Sequence, residues 1–176
     1  MRAIKYSIKL FLLASLVFAL ISCTQEEKRK PSISEKVSHP VPFVKSGIEG
    51  GVYKVKEGDD LWDIAEIYYH DKYLWPNIYR VNLDEIGDPD ILEPGQEIQV
   101  PSFDGTENHW TDKDLKDIAE GHIQAYFSYH KDGKKNARYY LWVAKHTDQA
   151  VFDKYADQVA AADKKAIEGM GGQIQY

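Results

Sequence analysis

The sequence predicts an α+β fold, a small βααβ unit followed by a helical region of about three helices. Three observations carry that prediction. Two short segments that alternate apolar and polar residues, near 51–57 and 97–100, are separated by two stretches of helical period. After Thr111 the 3.6-residue period takes over and runs as far as Ile167. The turn-forming pairs Pro94-Gly95 and Asp132-Gly133 fall between these stretches rather than inside them.

The first strand pattern breaks at Gly58, a residue that tolerates positive φ. Asp60 suits a helix N-cap, and Asp63 lies in the first turn, where the helix dipole favours an acid. Leu61, Ile64, Ala65 and Tyr68 then share one apolar face, and the helix is expected to end near Tyr69 or His70. A loop is expected over 71–74. Proline is tolerated in a first helical turn, so Trp75-Pro76 opens a second helix, continued by Ile78, Tyr79 and Asn82. The stretch 84–94 is rich in Asp, Glu and Pro, and Pro94-Gly95 suits a type II turn. Ile98 and Val100 share a strand face, and Pro101 stops the ladder for want of an N–H. Antiparallel pairing of the two strands closes a unit of about 50 residues, near the lower limit for a core without disulfides.

In the last third, Thr111 and Asp114 form a capping box with Asp in the place of Glu. Leu115, Ile118, Ala119, His122, Ile123 and Tyr126 follow on one face. A second stripe runs through Ala137, Tyr140, Leu141 and Ala144. A third helix, capped by Asp148, carries Val151, Phe152, Tyr155, Val159, Ala162, Ala166 and Ile167, and ends at Gly169. The helices are expected to pack as a small bundle or hairpin on the βααβ unit. Tyr126, Tyr129, Tyr139, Tyr140, Trp142 and Tyr155 have two readings, a packed core or a second glycan or protein surface. His122 and His130 stand eight apart, which is not the i, i+4 spacing of a helical metal pair.

Composition narrows the function. The 176 residues carry a formal charge of −6, which argues against a dedicated nucleic-acid binder. One cysteine allows neither an intrachain disulfide nor an all-cysteine metal site. That cysteine follows a basic start (Arg2, Lys5, Lys9) and an apolar run from Leu10 to Ile21, too short for a confident membrane span. Leu20-Ile21-Ser22-Cys23 resembles the bacterial lipoprotein box. The resemblance implies that Cys23 carries diacylglycerol by a thioether and becomes the first mature residue; the plainer reading is an ordinary thiol after an ordinary signal. Loss of residues 1–22, which hold three cations and no acid, leaves a formal charge of −9. The organisation expected is signal peptide 1–22, lipidated Cys23 with a flexible linker to 51, a compact domain over 52–101, a linker 102–110, a helical region 111–170 and a tail 171–176. Prolines 31, 40 and 42 and the absence of periodicity mark the first linker.

Three motifs carry a second resemblance. Tyr53-Lys54-Val55-Lys56-Glu57-Gly58-Asp59-Asp60-Leu61-Trp62-Asp63-Ile64-Ala65 is similar to the opening of a LysM (lysin motif) domain. Leu74-Trp75-Pro76-Asn77-Ile78-Tyr79-Arg80-Val81-Asn82 resembles the middle of the subgroup whose second helix starts with Trp-Pro. The run from Asp88-Pro89-Asp90-Ile91-Leu92 to Pro94-Gly95-Gln96-Glu97-Ile98-Gln99-Val100-Pro101 resembles the close. The resemblance implies binding of polymers containing N-acetylglucosamine, chiefly peptidoglycan in bacteria, in a shallow groove between two loops. Carried over by position, the loops are Gly58, Asp59, Asp60 and Leu61, and Asp88, Pro89, Asp90, Ile91 and Leu92.

The chemistry of an acetamido group suits such loops, since it offers one donor, one acceptor and one methyl. Backbone groups at Gly58 and before Pro89 would meet the amide, and Leu61 and Ile91 the methyl, with nothing ionising. Beside these stand plainer roles: Asp60 chiefly as a helix cap, Leu61 and Ile91 as core, Trp75 as core. Trp62 lies off the apolar stripe and is the exposed candidate for sugar stacking. Asp88-Pro89-Asp90 stands where many relatives have Asn-Pro, which puts the sugar contacts in question. A cation between the two carboxylates lacks a third or fourth oxygen ligand at suitable spacing.

Catalysis is not expected, and neither a cofactor nor a metal is. A thiol enzyme would need the cysteine at the lipid site. Neither His-x-His nor His-Glu-x-x-His occurs, as zinc peptidases would need. For a glycosidase, Glu120 is the one candidate on a helix of the last third. The expectation is a non-catalytic, lipid-anchored envelope protein that binds peptidoglycan strands and touches the membrane only through its anchor. Thr24, where an Asp would signal inner-membrane retention, favours the outer membrane facing the periplasm. The alternatives are an envelope scaffold whose LysM and helical parts bind another protein, an accessory module of a cell-wall hydrolase, and a role in sensing small solutes or ions.

Overall fold

The computed structural model describes residues 47–172 and Ile174. Cys23, the signal and most of the first linker lie outside the described residues. Strand β1 (Gly51–Lys54) pairs antiparallel with β2 (Glu97–Val100), with Gly51 opposite Val100 and Lys54 opposite Glu97. The pairing continues at both ends. Val55 N–H donates to Gln96 O at 2.8 Å, and Gly95, at φ 91°, donates to Val55 O at 2.8 Å. At the other end Ile48 and Phe103 exchange backbone hydrogen bonds of 2.9 and 3.0 Å. An isolated bridge at Ile48 thus precedes the regular ladder, inside the stretch read as linker.

Helix α1 (Leu61–Tyr69) is capped as the sequence predicts, Asp60 accepting from Asp63 N at 2.8 Å. It ends at His70, a non-glycine residue in the left-handed region (φ 57°), whose N–H donates to Glu66 O. The expected loop at 71–74 contains a 3₁₀ turn, Lys72–Leu74, with Asp71 as its cap. Helix α2 (Trp75–Arg80) has Pro76 in its first turn and stops before Asn82, which was expected to continue it. Asn82 instead works as a strut. Its amide donates to Ile78 O (2.6 Å) and Gln99 O (2.8 Å), and its Oδ1 accepts from Gln99 N (2.8 Å). One buried side chain thus supplies β2 with the partners of a missing strand.

Residues 102–110 are tied down. Phe103 is buried against Tyr69 and Trp110, and a second bridge joins Thr106 to His109. Asp114, fully buried, closes the capping box and accepts from Thr111 N (3.0 Å), Thr111 Oγ1 (2.7 Å), Asp104 N (3.0 Å) and Gly105 N (2.8 Å). Burial pushes its pKa up, but these donors outweigh burial and hold the carboxyl below its ordinary range.

Helix α3 (Asp112–Lys131) and α4 (Ala137–Thr147) form an antiparallel pair. The single third helix expected from periodicity is two. Helix α5 (Gln149–Tyr155) runs into a 3₁₀ turn, Ala156–Gln158, and α6 (Ala161–Glu168) follows. Between them Val159 and Ala160 are extended (ψ 132° and 131°), and Ala160 N–H donates to Tyr126 Oη at 3.3 Å. That break lets buried Asp163 meet Arg138 (2.6 Å), His130 (2.9 Å) and Tyr126 (3.1 Å). Among the described residues there are six α-helices, and the fold is α+β as predicted.

One apolar cluster runs from Val55 through Trp75 and Tyr129 to Ile167. Most of the aromatic set of the last third lies in it: Tyr126, Tyr129, Tyr140 and Trp142 are buried, whereas Tyr139 is exposed.

Candidate functional site

The two loops named from the sequence face each other across a cleft of ≈ 240 Å³, lined by Asp60, Leu61, Trp62, Trp75, Pro89, Asp90 and Tyr129. Four of the nine loop candidates line it: Asp60, Leu61, Pro89 and Asp90. Gly58, Asp59, Asp88, Ile91 and Leu92 do not.

The first loop is built from its own side chains. Asp59 Oδ2 accepts from Tyr53 Oη and from Lys56 N, both at 2.8 Å, and Gly58 turns the chain at φ 87°. The Lys56 N–H, then the Tyr53 hydroxyl, hold the Asp59 carboxyl below its usual range. Asp59 therefore braces the loop, and Asp60 at the cleft mouth is engaged as the helix cap. Leu61 is 1% exposed. It belongs to the core and shows the cleft only its edge. Beside it Trp62, 39% exposed, lies 5.5 Å from the Tyr73 ring with Lys72 Nζ 5.2 Å above it.

The second loop is an Asx turn. Asp90 N donates to Asp88 Oδ1 at 2.9 Å, and Ile91 N to Asp88 O at 3.0 Å. Gln96 ties the base of this loop to Glu85 O at 2.9 Å. Ile91 is 66% exposed, so of the two apolar loop residues one is core and the other surface. Leu92 packs on the core edge. The pair Asp88 and Asp90, considered from the sequence as a cation site, holds the Lys134 ammonium: Nζ lies 3.2 Å from Asp88 Oδ1 and 2.7 Å from Asp90 Oδ2. Asp88 sits below the ordinary carboxylate range, first because of the Asp90 N–H and then because of Lys134.

Of the lining residues, Trp75 was weighed from the sequence as a stacking residue or as core, and Tyr129 escaped the reading of this site. Trp75 is buried and forms the floor, against Tyr79, Tyr129 and Tyr140. Tyr129 reaches the cleft from α3, and its hydroxyl donates to Asp90 Oδ1. Burial, then the Asp90 carboxylate, raises the Tyr129 pKa, so it stays a neutral donor. No local signal in the sequence linked Tyr129 to a loop about 40 residues earlier.

Outside the cleft, Glu120 Oε1 accepts from Tyr155 Oη (2.6 Å) and Lys154 Nζ (2.9 Å). Burial would raise its pKa, but these two partners outweigh it and hold the carboxyl low. That is the reverse of what a general acid needs. His122 is a core residue, its Nδ1 2.8 Å from Ile118 O, and burial lowers its pKa to about 4. Among the described residues no cluster of three or more His, Cys, Asp or Glu side chains could hold a metal ion.

Residues 53–101 match the family model described as LysM domain. An uncharacterized protein of Deinococcus radiodurans is 44% identical over 50 residues, a stretch equal to 28% of this chain and 19% of that protein. The match thus spans about a fifth of the relative's length. No solved structure matches the chain.

Proposed function

We propose that this chain is a non-catalytic, lipid-anchored envelope protein that binds peptidoglycan, because residues 53–101 match the LysM domain model and such domains bind peptidoglycan- or chitin-type glycans. The observation that supports the site is the cleft itself, bounded by Asp60, Leu61, Pro89 and Asp90 of the two predicted loops and by Trp62 beside the first. Its volume suits a sugar unit or two, and its walls pair aromatic rings with carboxylates and backbone. Glu120, the carboxylate weighed for hydrolysis, lies outside the cleft and is paired with Tyr155 and Lys154. The anchor rests on the lipoprotein-box resemblance ending at Cys23, and the outer-membrane placement on Thr24. A single shallow site of this kind has a Kd on the order of 10 µM to 1 mM, about −4 to −7 kcal/mol. Tethering beside a polymer with recurring sites makes that sufficient.

The test is co-sedimentation of residues 24–176 with purified insoluble peptidoglycan. The wild-type chain pellets with it. Trp62→Ala at the cleft rim lowers the bound fraction about five- to tenfold, with circular dichroism unchanged, and undiminished pelleting of this variant and of Ile91→Asp moves the site elsewhere. Leu61→Asp is not a binding test, because a charge at this core position unfolds the domain. A folded wild-type chain that stays in the supernatant with both sacculi and chitin overturns the reading.

A further inference from the structure

The cleft is not made by the LysM domain alone, and the chain that completes it comes from the region that the family model leaves unmatched. Helix α3 lies against α2 at backbone contact. A Cβ built on Gly121 would stand 2.7 Å from Pro76 O and 3.0 Å from Asn77 N, so nothing larger than glycine fits there. Two turns further along the same helix Tyr129 arrives at the cleft, its ring wedged 5.9 Å from Trp75 and 5.1 Å from Tyr140. The helix then ends in a Schellman motif. Lys134 N–H donates to Tyr129 O at 2.8 Å, Gly133 N–H to His130 O at 3.1 Å, and Gly133 takes φ 66°. This reversal folds Lys134 back over its own helix end. Its Nζ sits 4.4 Å above the Tyr129 ring and bridges Asp88 and Asp90.

We infer that Tyr129 and Lys134 are positioning residues of the glycan site, which fix the Asp88–Asp90 loop at its working distance from the Asp60–Trp62 edge of the cleft. The inference rests on the glycan-binding reading and adds a role for the helical region. Two carboxylates two residues apart repel each other. An ammonium between them, with a phenol donating to one, turns that repulsion into a three-point attachment. The carboxylates of the acidic turn are thereby held in place by Tyr129 and Lys134. The second wall of the cleft is thus held by tertiary contacts as well as by the loop's own Asx turn.

The experiment is isothermal titration of the full-length protein in detergent with a pentamer of N-acetylglucosamine. Wild type is compared with Lys134→Met, Lys134→Arg and Tyr129→Phe, and each variant's melting temperature is recorded. Lys134→Met and Tyr129→Phe weaken binding about three- to tenfold, and Lys134→Arg stays within about twofold of wild type. A merely structural role would lower the melting temperature without moving the salt response. The ligand is uncharged, so the salt dependence of its Kd reports the clamp: wild-type affinity falls between 50 and 500 mM NaCl, and that of Lys134→Met does not. Wild-type binding with both variants equal to it, or tighter than it, overturns the inference and leaves the glycan reading intact. Failure of folded wild type to bind pentamer or sacculi overturns the glycan reading itself.

Discussion

Neighbouring residues of one motif have different duties here, and burial decides which. Asp59, Asp60 and Leu61 all belong to the first loop. Asp59 is spent on Tyr53 and Lys56, Asp60 on the helix cap, and Leu61 on the core. Farther along, His122 gives stability a pH dependence whose sign follows from its burial. Its pKa is near 6.5 in the unfolded chain and about 4 in the fold. Above pH 6.5 both states are neutral and the fold keeps its full stability. As pH falls from 6.5 towards 4 the unfolded state takes up the proton first, and stability declines. Between pH 7 and pH 5 the loss is about 2 kcal/mol. Asp114 and Asp163, held below the ordinary carboxylate range, add their own loss only at lower pH. Urea denaturation at the two pH values measures the slope, and His122→Gln should flatten it. An equal slope in the variant would assign the effect to other groups.

At the scale of elements, the α2–α3 contact is the joint that places the cleft's second wall. Alanine is a better helix former than glycine by about 1 kcal/mol, so Gly121→Ala would stabilise an isolated α3. In this fold the added methyl meets backbone atoms of Pro76 and Asn77, which cannot swing aside. Overpacking of this kind costs about 1–3 kcal/mol, so the net effect is destabilising. A lower denaturation midpoint for Gly121→Ala is expected, and a raised one would show that the helices separate freely. The same scale shows where periodicity misleads. Val151 to Ile167 reads as one stripe, yet the chain is extended at Val159 and Ala160. No proline or glycine marks the break. The Tyr126 hydroxyl, 34 positions earlier, accepts the Ala160 N–H, and the bend brings Asp163 to Arg138.

At the scale of the molecule, the βααβ unit and the helical region share one core. Trp75 of the first packs against Tyr129 and Tyr140 of the second, and Arg80 is paired with Asp117 at 3.0 Å. A domain of about 50 residues is marginal alone, and burying Trp75 under α3 and α4 relieves that. Unfolding should therefore be one cooperative transition, with far-UV circular dichroism and tryptophan fluorescence changing at the same denaturant concentration. Two separated transitions would mean that the regions fold independently.

Local chemistry was enough for much of this protein. Asp60 and Thr111 as caps, Pro76 in a first turn, the left-handed Gly95 and the alternation at Ile98 and Val100 each act over a few residues. The βααβ unit could therefore be read directly from the amino-acid order, whereas its two candidate loops came from the resemblance to the LysM family. Contacts between distant residues decided the rest. Leu61 and Ile91 looked alike, and only packing made one core and the other surface. Asn82 became a strut because β2 came to lie beside it. Tyr129 joined the cleft, and Lys134 met the loop behind it, because a glycine let two helices touch. Short-range propensity carries no information about which surfaces meet, since that depends on the free energy of the whole packed chain.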